Sequence, residues 1–367
     1  MLSLINAMQR HVFLTLILFM FSFNVAYADI RNGRIGHWLL DEGSGSYAYN
    51  SSGGTNTGTL YNTPTWTTGQ FVGALSFDGV NEYVGIPNDV TGIRTVSFWM
   101  KPAASEVYPL GLTQNREGVV SKWGYFSGGT CALTRYVNGT AATETLGSEK
   151  LSNRSFTTDL SLWSWANGAS AVRDTVDYYS SPASAKVTTA AGQQNNFYQT
   201  GLPSLTAGAL YKYSFWAKGS TSAVVAPIIQ EWGTFAVIYL PEMALTTGWL
   251  QYTYYFFSDR TTSSAYLNFQ GPATAISYWV DDLSLKEVTG DSASVTNDTW
   301  NHYVIVTDAA FSAESMSFGR VATNLGTYKY LTGSIDDVRF YNRALTATEV
   351  GELNLNKITA DSFFLLF

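Results

Sequence analysis

Cysteine and histidine are scarce in this sequence, and their scarcity excludes several kinds of site. Cys131 is the only cysteine among the 367 residues, so no disulfide can form within the chain. A zinc site needs a cluster of cysteine and histidine ligands, and the sequence has no such cluster. Beyond the first 28 residues, only His37 and His302 could act as imidazole bases. The Gly-x-Ser-x-Gly and phosphate-loop motifs are missing as well.

Charged residues are also few, and the acidic ones are in excess. Only 13% of the residues are charged, and the formal net charge is −7. Binding of nucleic acid depends on clusters of lysine and arginine that neutralise phosphates, and the sequence has none. We therefore expect no nucleic-acid partner. Acidic loops are suited instead to a cation such as calcium, which prefers oxygen ligands.

Long hydrophobic runs are missing except near the N-terminus. Residues 12–25 are almost wholly apolar, and an Ala-x-Ala site follows at 26–28. The run is shorter than the ~20 residues of a membrane-spanning helix, and the combination is typical of a secretory signal peptide. We predict that residues 1–28 are removed and that the protein is secreted or lies at the cell surface. The mature chain should have no membrane span, and a membrane anchor is the alternative interpretation.

Aromatic residues are abundant, at 15% of the chain, and they occur in strand-like patterns. In residues 95–102 and 250–257, apolar and polar side chains alternate, which is the pattern of a half-buried strand. The only convincing helical stretch is 346–353, where Thr346 or Thr348 could cap the first turn. Many short strands with almost no helix predict an all-β fold of antiparallel jelly-roll sandwiches.

Five segments near the two ends of the chain carry a family resemblance. Together they resemble the laminin-G-like, concanavalin A-like lectin/glucanase jelly roll, in the order of that family. The segments are GHWLLDEG at 36–43, ALSFDG at 74–79, SFWMKP at 97–102, TWNH at 299–302 and GSIDDVRFYNRAL at 333–345.

The spacing of these segments indicates that a second module interrupts the first. Lys101 and Trp300 are 199 positions apart, whereas the family has only a few strands between the corresponding residues. The intervening sequence resembles a jelly-roll carbohydrate-binding module, with NRSF at 153–156, LTAG at 205–208 and VDDLSL at 280–285. Insertion is tolerated where the two ends of a domain lie close together. We therefore predict a first jelly-roll part at 29–147, an inserted module at 148–288, a second part at 289–356 and a C-terminal tail at 357–367.

The resemblance implies candidate ligands for a structural calcium ion. Asp41, Asp78 and Asp336 stand at positions of the outer module where the family permits a metal. In the insert, Asp281 is the closing Asp that the carbohydrate-binding-module family commonly uses, while Thr157 stands where that family has a second acid. Carboxylate oxygens are the ligands that calcium prefers. The alternative is that each carboxylate caps a turn by accepting backbone N–H groups.

Glycan binding depends on aromatic rings with amides beside them, because the apolar face of a sugar packs on a ring while its hydroxyls need polar partners. Gln230 and Trp232 stand two positions apart in one strand-like segment, so both should point to the same face. Tyr198 follows a run of amides, and Trp165 is a further candidate. The alternative for each aromatic residue is a place in the core.

These observations favour a secreted, non-catalytic protein that binds a polysaccharide or glycoconjugate, or an adhesive protein. A structural or interaction protein of a cell surface or appendage is the second hypothesis. A glycoside hydrolase is less favoured, because it needs two carboxyl groups at a fixed separation and no Glu-x-Asp-x-x-Glu run occurs. We predict no catalytic residue.

Overall fold

Strands make up most of the protein, as the alternating sequence patterns predict. A computed structural model describes residues 29–128, 133–231, 237–261, 265–324 and 327–355. Residues 29–32 form a turn in a separate N-terminal unit, and the rest belong to one compact unit. The signal peptide that we predict, Cys131, Trp232 and the predicted C-terminal tail lie outside the described residues.

The strands fall into three groups along the chain. The first group is β1 (Arg34–Trp38), β2 (Tyr47–Ala48), β3 (Gly58–Tyr61), β4 (Thr65–Thr68), β5 (Gly73–Asp78), β6 (Tyr83–Gly85), β7 (Val90–Pro102), β8 (Leu110–Gly111), β9 (Gly118–Val120), β10 (Tyr125–Ser127), β11 (Leu133–Val137) and β12 (Thr140–Ala141). The second group is β13 (Glu144–Glu149), β14 (Trp163–Ala166), β15 (Ser170–Asp174), β16 (Ser184–Thr188), β17 (Asn196–Leu202), β18 (Leu210–Gly219), β19 (Ala223–Glu231), β20 (Val237–Tyr239), β21 (Met243–Leu245), β22 (Leu250–Phe257), β23 (Ala265–Gln270) and β24 (Ser277–Asp291). The third group is β25 (Asn301–Ala313), β26 (Ser317–Phe318), β27 (Arg320–Asn324), β28 (Thr327–Tyr330) and β29 (Thr332–Tyr341), followed by the helix α1 (Ala347–Asn354).

The first and third groups form the outer sandwich. Its sheet A has the order β12-β11-β25-β7-β29-β5-β4, with β1 paired to β29, and its sheet B has the order β10-β9-β8-β26-β6-β3-β2. Trp38 lies fully buried between them, with its ring 5.2 Å from Phe318 and 5.8 Å from Phe340 in edge-on contacts. Edge-on packing of this kind adds to the free energy gained by burying each ring.

The second group forms the inserted sandwich. Sheet C has the order β15-β16-β24-β18-β22, with β13 paired to β24, and sheet D has the order β14-β17-β23-β19-β20, with β21 paired to β19. Tyr213, Phe215 and Phe269 are fully buried between the two sheets. The pairings recorded in the described part of the chain are antiparallel, and the predicted all-β class is confirmed.

The helix is confirmed as well, and Thr346 is its N-cap. The Thr346 hydroxyl accepts the backbone N–H of Glu349, while the Glu349 carboxylate accepts the N–H of Thr346. This capping box satisfies two N–H groups that the first turn leaves without a partner. Among the described residues, no helix combines the length and apolar character needed to cross a bilayer.

The chain enters and leaves the inserted sandwich along a single pair of strands. Strand β13 pairs with the end of β24, with Glu144 opposite Asp291 and Leu146 opposite Val288. Strand β25, which follows, then pairs with both β11 and β7 of the outer sandwich. The predicted limits of the insert, at 148 and 288, fall inside β13 and β24 and stay a prediction.

A buried cluster joins the two sandwiches beside this strand pair. The Arg135 guanidinium and the Tyr125 hydroxyl both donate to Oδ2 of Asp291, whose side chain is fully buried. The Tyr125 ring also stacks on Tyr255 of sheet C, with centroids 4.5 Å apart. Because the pair is desolvated, removal of the carboxylate would leave a buried guanidinium without a counter-charge, which costs far more than loss of an exposed pair.

We therefore expect the substitution Asp291→Ala to lower the free energy of unfolding by about 3 kcal/mol. Urea unfolding followed by tryptophan fluorescence measures the change. The matched control is Asp308→Ala, because the Asp308 side chain is exposed and its loss should cost about 0.5 kcal/mol or less. Equal losses in the two variants would show that the buried pair does not hold the junction.

Candidate functional site

One face of sheet D carries amide and phenol groups among a few apolar side chains. Strand β23 shows why: Leu267 and Phe269 point into the core, so Tyr266, Asn268 and Gln270 point to the other side. The neighbouring strands contribute residues in register with these three. The amide face consists of Ser164, Asn196, Tyr198, Ile228, Gln230, Val237, Tyr239, Tyr266, Asn268 and Gln270.

Five of these residues, one from each strand, form a row across the sheet. The register pairs each residue of this cross-strand row with the next, in the order Ser164, Tyr198, Asn268, Ile228 and Tyr239. Strands lie about 4.8 Å apart, so the row is about 19 Å long. Its length matches a few sugar residues placed end to end, because one pyranose is about as long as the strand spacing.

Tyrosines and a glutamine lie beside the centre of the row. The rings of Tyr198 and Tyr266 are 5.7 Å apart and tilted by 57°. Burial raises the pKa of the Tyr266 phenol above its usual value. Gln230 lies opposite Tyr266 on the next strand, and its amide therefore shares a face with the two rings.

Asn268, at the centre of the row, carries a polar atom with no partner. Its side chain is 3% exposed, and its Nδ2 donates to Oδ1 of Asn196 at 3.2 Å. Its own Oδ1 is buried and accepts no hydrogen bond from the described residues. A buried carbonyl without a donor costs about 1–3 kcal/mol. The arrangement is therefore suited to a ligand that brings a donor to this point.

The four residues that the sequence predicts to bind a glycan do not all lie on one face in the structure. Tyr198 and Gln230 lie on the amide face. Trp165 lies opposite Phe197, a core residue, so the register directs it to the other side of sheet D, where it is 43% exposed at the edge. Trp232 lies outside the described residues. Tyr266 and Asn268 were not predicted, although the alternation in β23 contains the signal.

Two of the four candidate metal ligands lie close together in the outer sandwich. Asp41 Oδ1 accepts the N–H of Gly73 at 2.6 Å, and Asp336 Oδ2 accepts the N–H of Phe71 at 3.2 Å, so one short segment contacts both carboxylates. Burial, together with the charges of Asp337 and Asp41, raises the pKa of Asp336 to about 7. Asp336 Oδ1 is buried and has no partner among the described residues. Calcium takes carboxylate oxygens as ligands, and a buried carboxylate oxygen without a partner near a second carboxylate could supply part of such a ligand set.

The other two candidates lie elsewhere. Asp78 pairs with Thr332, four positions before Asp336 on β29, and its Oδ1 accepts the N–H of Val80 in a turn. Asp281 accepts three backbone N–H groups through its two carboxylate oxygens, including that of Ser180 at 2.8 Å, and burial raises its pKa to about 6. Within the described ranges, no group of three or more acidic, histidine or cysteine side chains could hold a metal.

The two candidate imidazole bases are buried in sheet A. Burial lowers the pKa of His302 to about 3, and its Nε2 lies 2.9 Å from the hydroxyl of Ser97. Burial also lowers the pKa of His37, whose Nε2 lies 2.7 Å from Asp337 Oδ1. The same carboxylate is paired with Arg339 at 2.7 Å. Both imidazoles are therefore neutral at pH 7 and join neighbouring strands.

No protein-family model matches the sequence, and no curated protein matches it. Among solved structures, the chain is similar to the CBM22-1 xylan-binding domain of Xyn10C from Paenibacillus barcinonensis, with 17% identity and a TM-score of 0.33 over 40% of this chain and 98% of that domain. It is also similar to the N-terminal cellulose-binding domain of β-1,4-glucanase C from Cellulomonas fimi, with 19% identity and a TM-score of 0.32 over 38% of this chain and 97% of that domain. A third similar structure is the enzymatically active domain of tailspike protein 4 from bacteriophage CBA120, with 14% identity and a TM-score of 0.33 over 38% of this chain and only 21% of that one. Likenesses at these scores carry no conclusion about ligand or activity, and the resemblance of the outer sandwich to laminin-G-like domains stays a prediction.

The unpartnered oxygen of Asn268 gives a test that needs no ligand. We expect Asn268→Leu to raise the free energy of unfolding by about 1 kcal/mol, because the variant no longer buries an unsatisfied carbonyl. The control is Gln199→Leu on the adjacent strand. Gln199 is 2% exposed, but Ser152 satisfies both ends of its amide, so its replacement should cost about 2 kcal/mol. Chemical unfolding of both variants measures the difference, and equal losses would contradict the assignment.

Proposed function

We propose that this chain is an exported, non-catalytic carbohydrate-binding protein, and that the amide face of the inserted sandwich binds the sugar. The observation that carries the proposal is the buried, unpartnered Oδ1 of Asn268, next to the ring of Tyr198 in the cross-strand row. Because Asn268 is 3% exposed, the side chains that cover this oxygen must move aside before a sugar hydroxyl donates to it. The apolar face of the pyranose would then pack on the ring. The proposed export rests on the apolar run at 12–25 and the Ala-x-Ala site at 26–28.

The groups of the face indicate the class of ligand. Asn196, Gln230, Asn268 and Gln270 offer amide donors and acceptors without charge, which suits neutral sugars. The row is long enough for several sugar residues, which suits a polysaccharide. Hydroxyl groups must exchange water for protein partners in such a site, so we expect micromolar to millimolar dissociation constants, or about −8 to −4 kcal/mol.

A pair of aromatic substitutions tests the proposal. We expect Tyr198→Ala to weaken binding about tenfold, which is about 1.4 kcal/mol, because the stacking ring is lost. Trp165→Ala should bind as the unchanged protein does, since Trp165 points to the other side of the same sheet. Affinity electrophoresis in gels containing xylan or a soluble cellulose derivative measures both variants. These polysaccharides are tested first because the similar solved domains are named for xylan and cellulose.

Circular dichroism of both variants checks that a loss of binding is not caused by unfolding. If only Trp165→Ala weakens binding, the sugar site lies on the other side of the sheet. If the unchanged protein binds nothing in a broad glycan panel, the hypothesis of a structural or interaction protein of a cell surface or appendage becomes the better one.

We also propose that Asp41 and Asp336 hold a calcium ion in the outer sandwich. The orphaned Oδ1 of Asp336 supports this, because a cation would supply the missing partner and compensate the burial of the carboxylate. A bound ion would tie β29 to the segment of Gly73 and Phe71 that both carboxylates contact. Its contribution would be structural.

Calcium should therefore raise the melting temperature by several degrees over the value in a chelator. An ion that binds only the native state at 100 times its dissociation constant stabilises that state by about 2.7 kcal/mol. Asp336→Asn should abolish the shift, whereas Asp78→Asn should keep it, because Asp78 lies in a separate turn. Differential scanning fluorimetry measures the shift, and a shift that survives in Asp336→Asn would place the ion elsewhere.

A further inference from the structure

The cross-strand row is closed at one end by the outer sandwich. The row ends at Tyr239 on β20, one of the two edge strands of sheet D. Arg116 of the outer sandwich lies over the Tyr239 ring, with its guanidinium carbon 5.5 Å from the centroid, and its Nε donates to the carbonyl of Leu240 at 2.8 Å. Next to it, the N–H of Glu242 donates to Oδ1 of Asn115 at 3.1 Å. The Arg116 side chain is only 8% exposed, so solvent does not separate the two sandwiches at this point.

A cavity lies at the closed end, and we call it the junction pocket. Val237 and Tyr239 line it and also belong to the amide face, while Ile238, which points to the other side of β20, lines it as well, so the pocket lies at the edge of sheet D where the row ends. Its volume is about 230 Å³. Pockets for drug-sized ligands begin near 300 Å³, so the junction pocket has room for a single sugar residue.

The lining of the junction pocket combines aromatic rings with charged groups of both signs. Tyr108 and Tyr255 contribute buried rings from the two sandwiches. Glu106 accepts the hydroxyl of Tyr108 at 2.9 Å and lies 3.8 Å from Nζ of Lys329, while Asp259 contributes a half-exposed carboxylate. A sugar hydroxyl both donates and accepts hydrogen bonds, so acceptors and donors around an aromatic wall suit a pyranose better than a purely apolar ligand.

We propose that the junction pocket binds the terminal sugar residue of a polysaccharide whose following residues lie along the cross-strand row. The proposal rests on the function proposed above and deepens it. A row open at both ends would accept any stretch of a long chain. Because Arg116 and its neighbours close the row at β20, the chain stops there, and the site recognises chain ends. The closure comes from the outer sandwich, so the inserted sandwich alone does not form the complete site.

The number of protein molecules bound to each chain distinguishes end recognition from binding along the chain. The full protein is titrated calorimetrically with xylo-oligosaccharides and cello-oligosaccharides of increasing length and with soluble xylan. We expect one protein per chain at every length, and an affinity that stops rising once the row is filled. A stoichiometry that rises with chain length would overturn the proposal.

A substitution in the pocket provides the second test. Asp259→Asn and Lys329→Ala change rim groups that are half-exposed, so both variants should fold. Each should weaken binding of the oligosaccharides about tenfold, whereas Asp308→Asn, a matched change of an exposed carboxylate elsewhere, should have no effect. Wild-type affinity in both pocket variants would overturn the proposal, provided that Tyr198→Ala still weakens binding. If the unchanged protein binds no saccharide at all, the function proposed above fails and the pocket assignment falls with it.

Discussion

The pairing of β13 with β24 is the constraint on which the rest of the structure depends. These strands carry the chain into and out of the inserted sandwich, and their register places Asp291 where Arg135 and Tyr125 of the outer sandwich both reach it. A buried ion pair tolerates little displacement, because a separated charge would remain desolvated without a partner. The pair therefore fixes the inserted sandwich with β20 and β22, one edge strand from each of its sheets, against the outer one. The closed end of the cross-strand row follows from that position.

Local patterns in the sequence predicted the fold class because strand formation is a local property. Alternation shows which side chains face a core, and the sequence limited the helix N-cap to Thr346 or Thr348, of which the structure uses Thr346. The register between distant strands is not local. The pairing of Leu146 with Val288 joins residues that no sequence pattern connects, so the limits predicted at 148 and 288 cut through the two strands that hold the insertion together. In the same way, the structure brings Asp336 close to Asp41 and leaves Asp78 in another turn.

The candidate site was predictable in part. Tyr198 and Gln230 stood out because polar and aromatic residues cluster around them, and both lie on the amide face. Trp165 satisfied the same criterion, but its register with Phe197 directs it to the opposite side. Tyr266 and Asn268 were missed although Tyr266, Asn268 and Gln270 alternate with Ala265, Leu267 and Phe269 in β23. The most informative atom, Oδ1 of Asn268, owes its importance to missing contacts, and a sequence does not show which buried atoms lack a partner.

The free energy that the amide face costs gives a reason to regard it as a binding surface. An apolar residue at 268 would fill the sheet without burying an unsatisfied carbonyl, so we expect the asparagine to lower the free energy of unfolding of the protein without a ligand. A ligand that donates a hydrogen bond to this oxygen would remove the free-energy penalty of the unsatisfied carbonyl. Asn268 would then contribute to binding although it is not needed for folding. The shape of the junction pocket depends on how the two sandwiches are placed, because both contribute residues to its walls. A change that loosens the Arg135–Asp291 pair would alter the pocket walls without touching any residue of the row, so the chain-end recognition that we propose would depend on the stability of the junction.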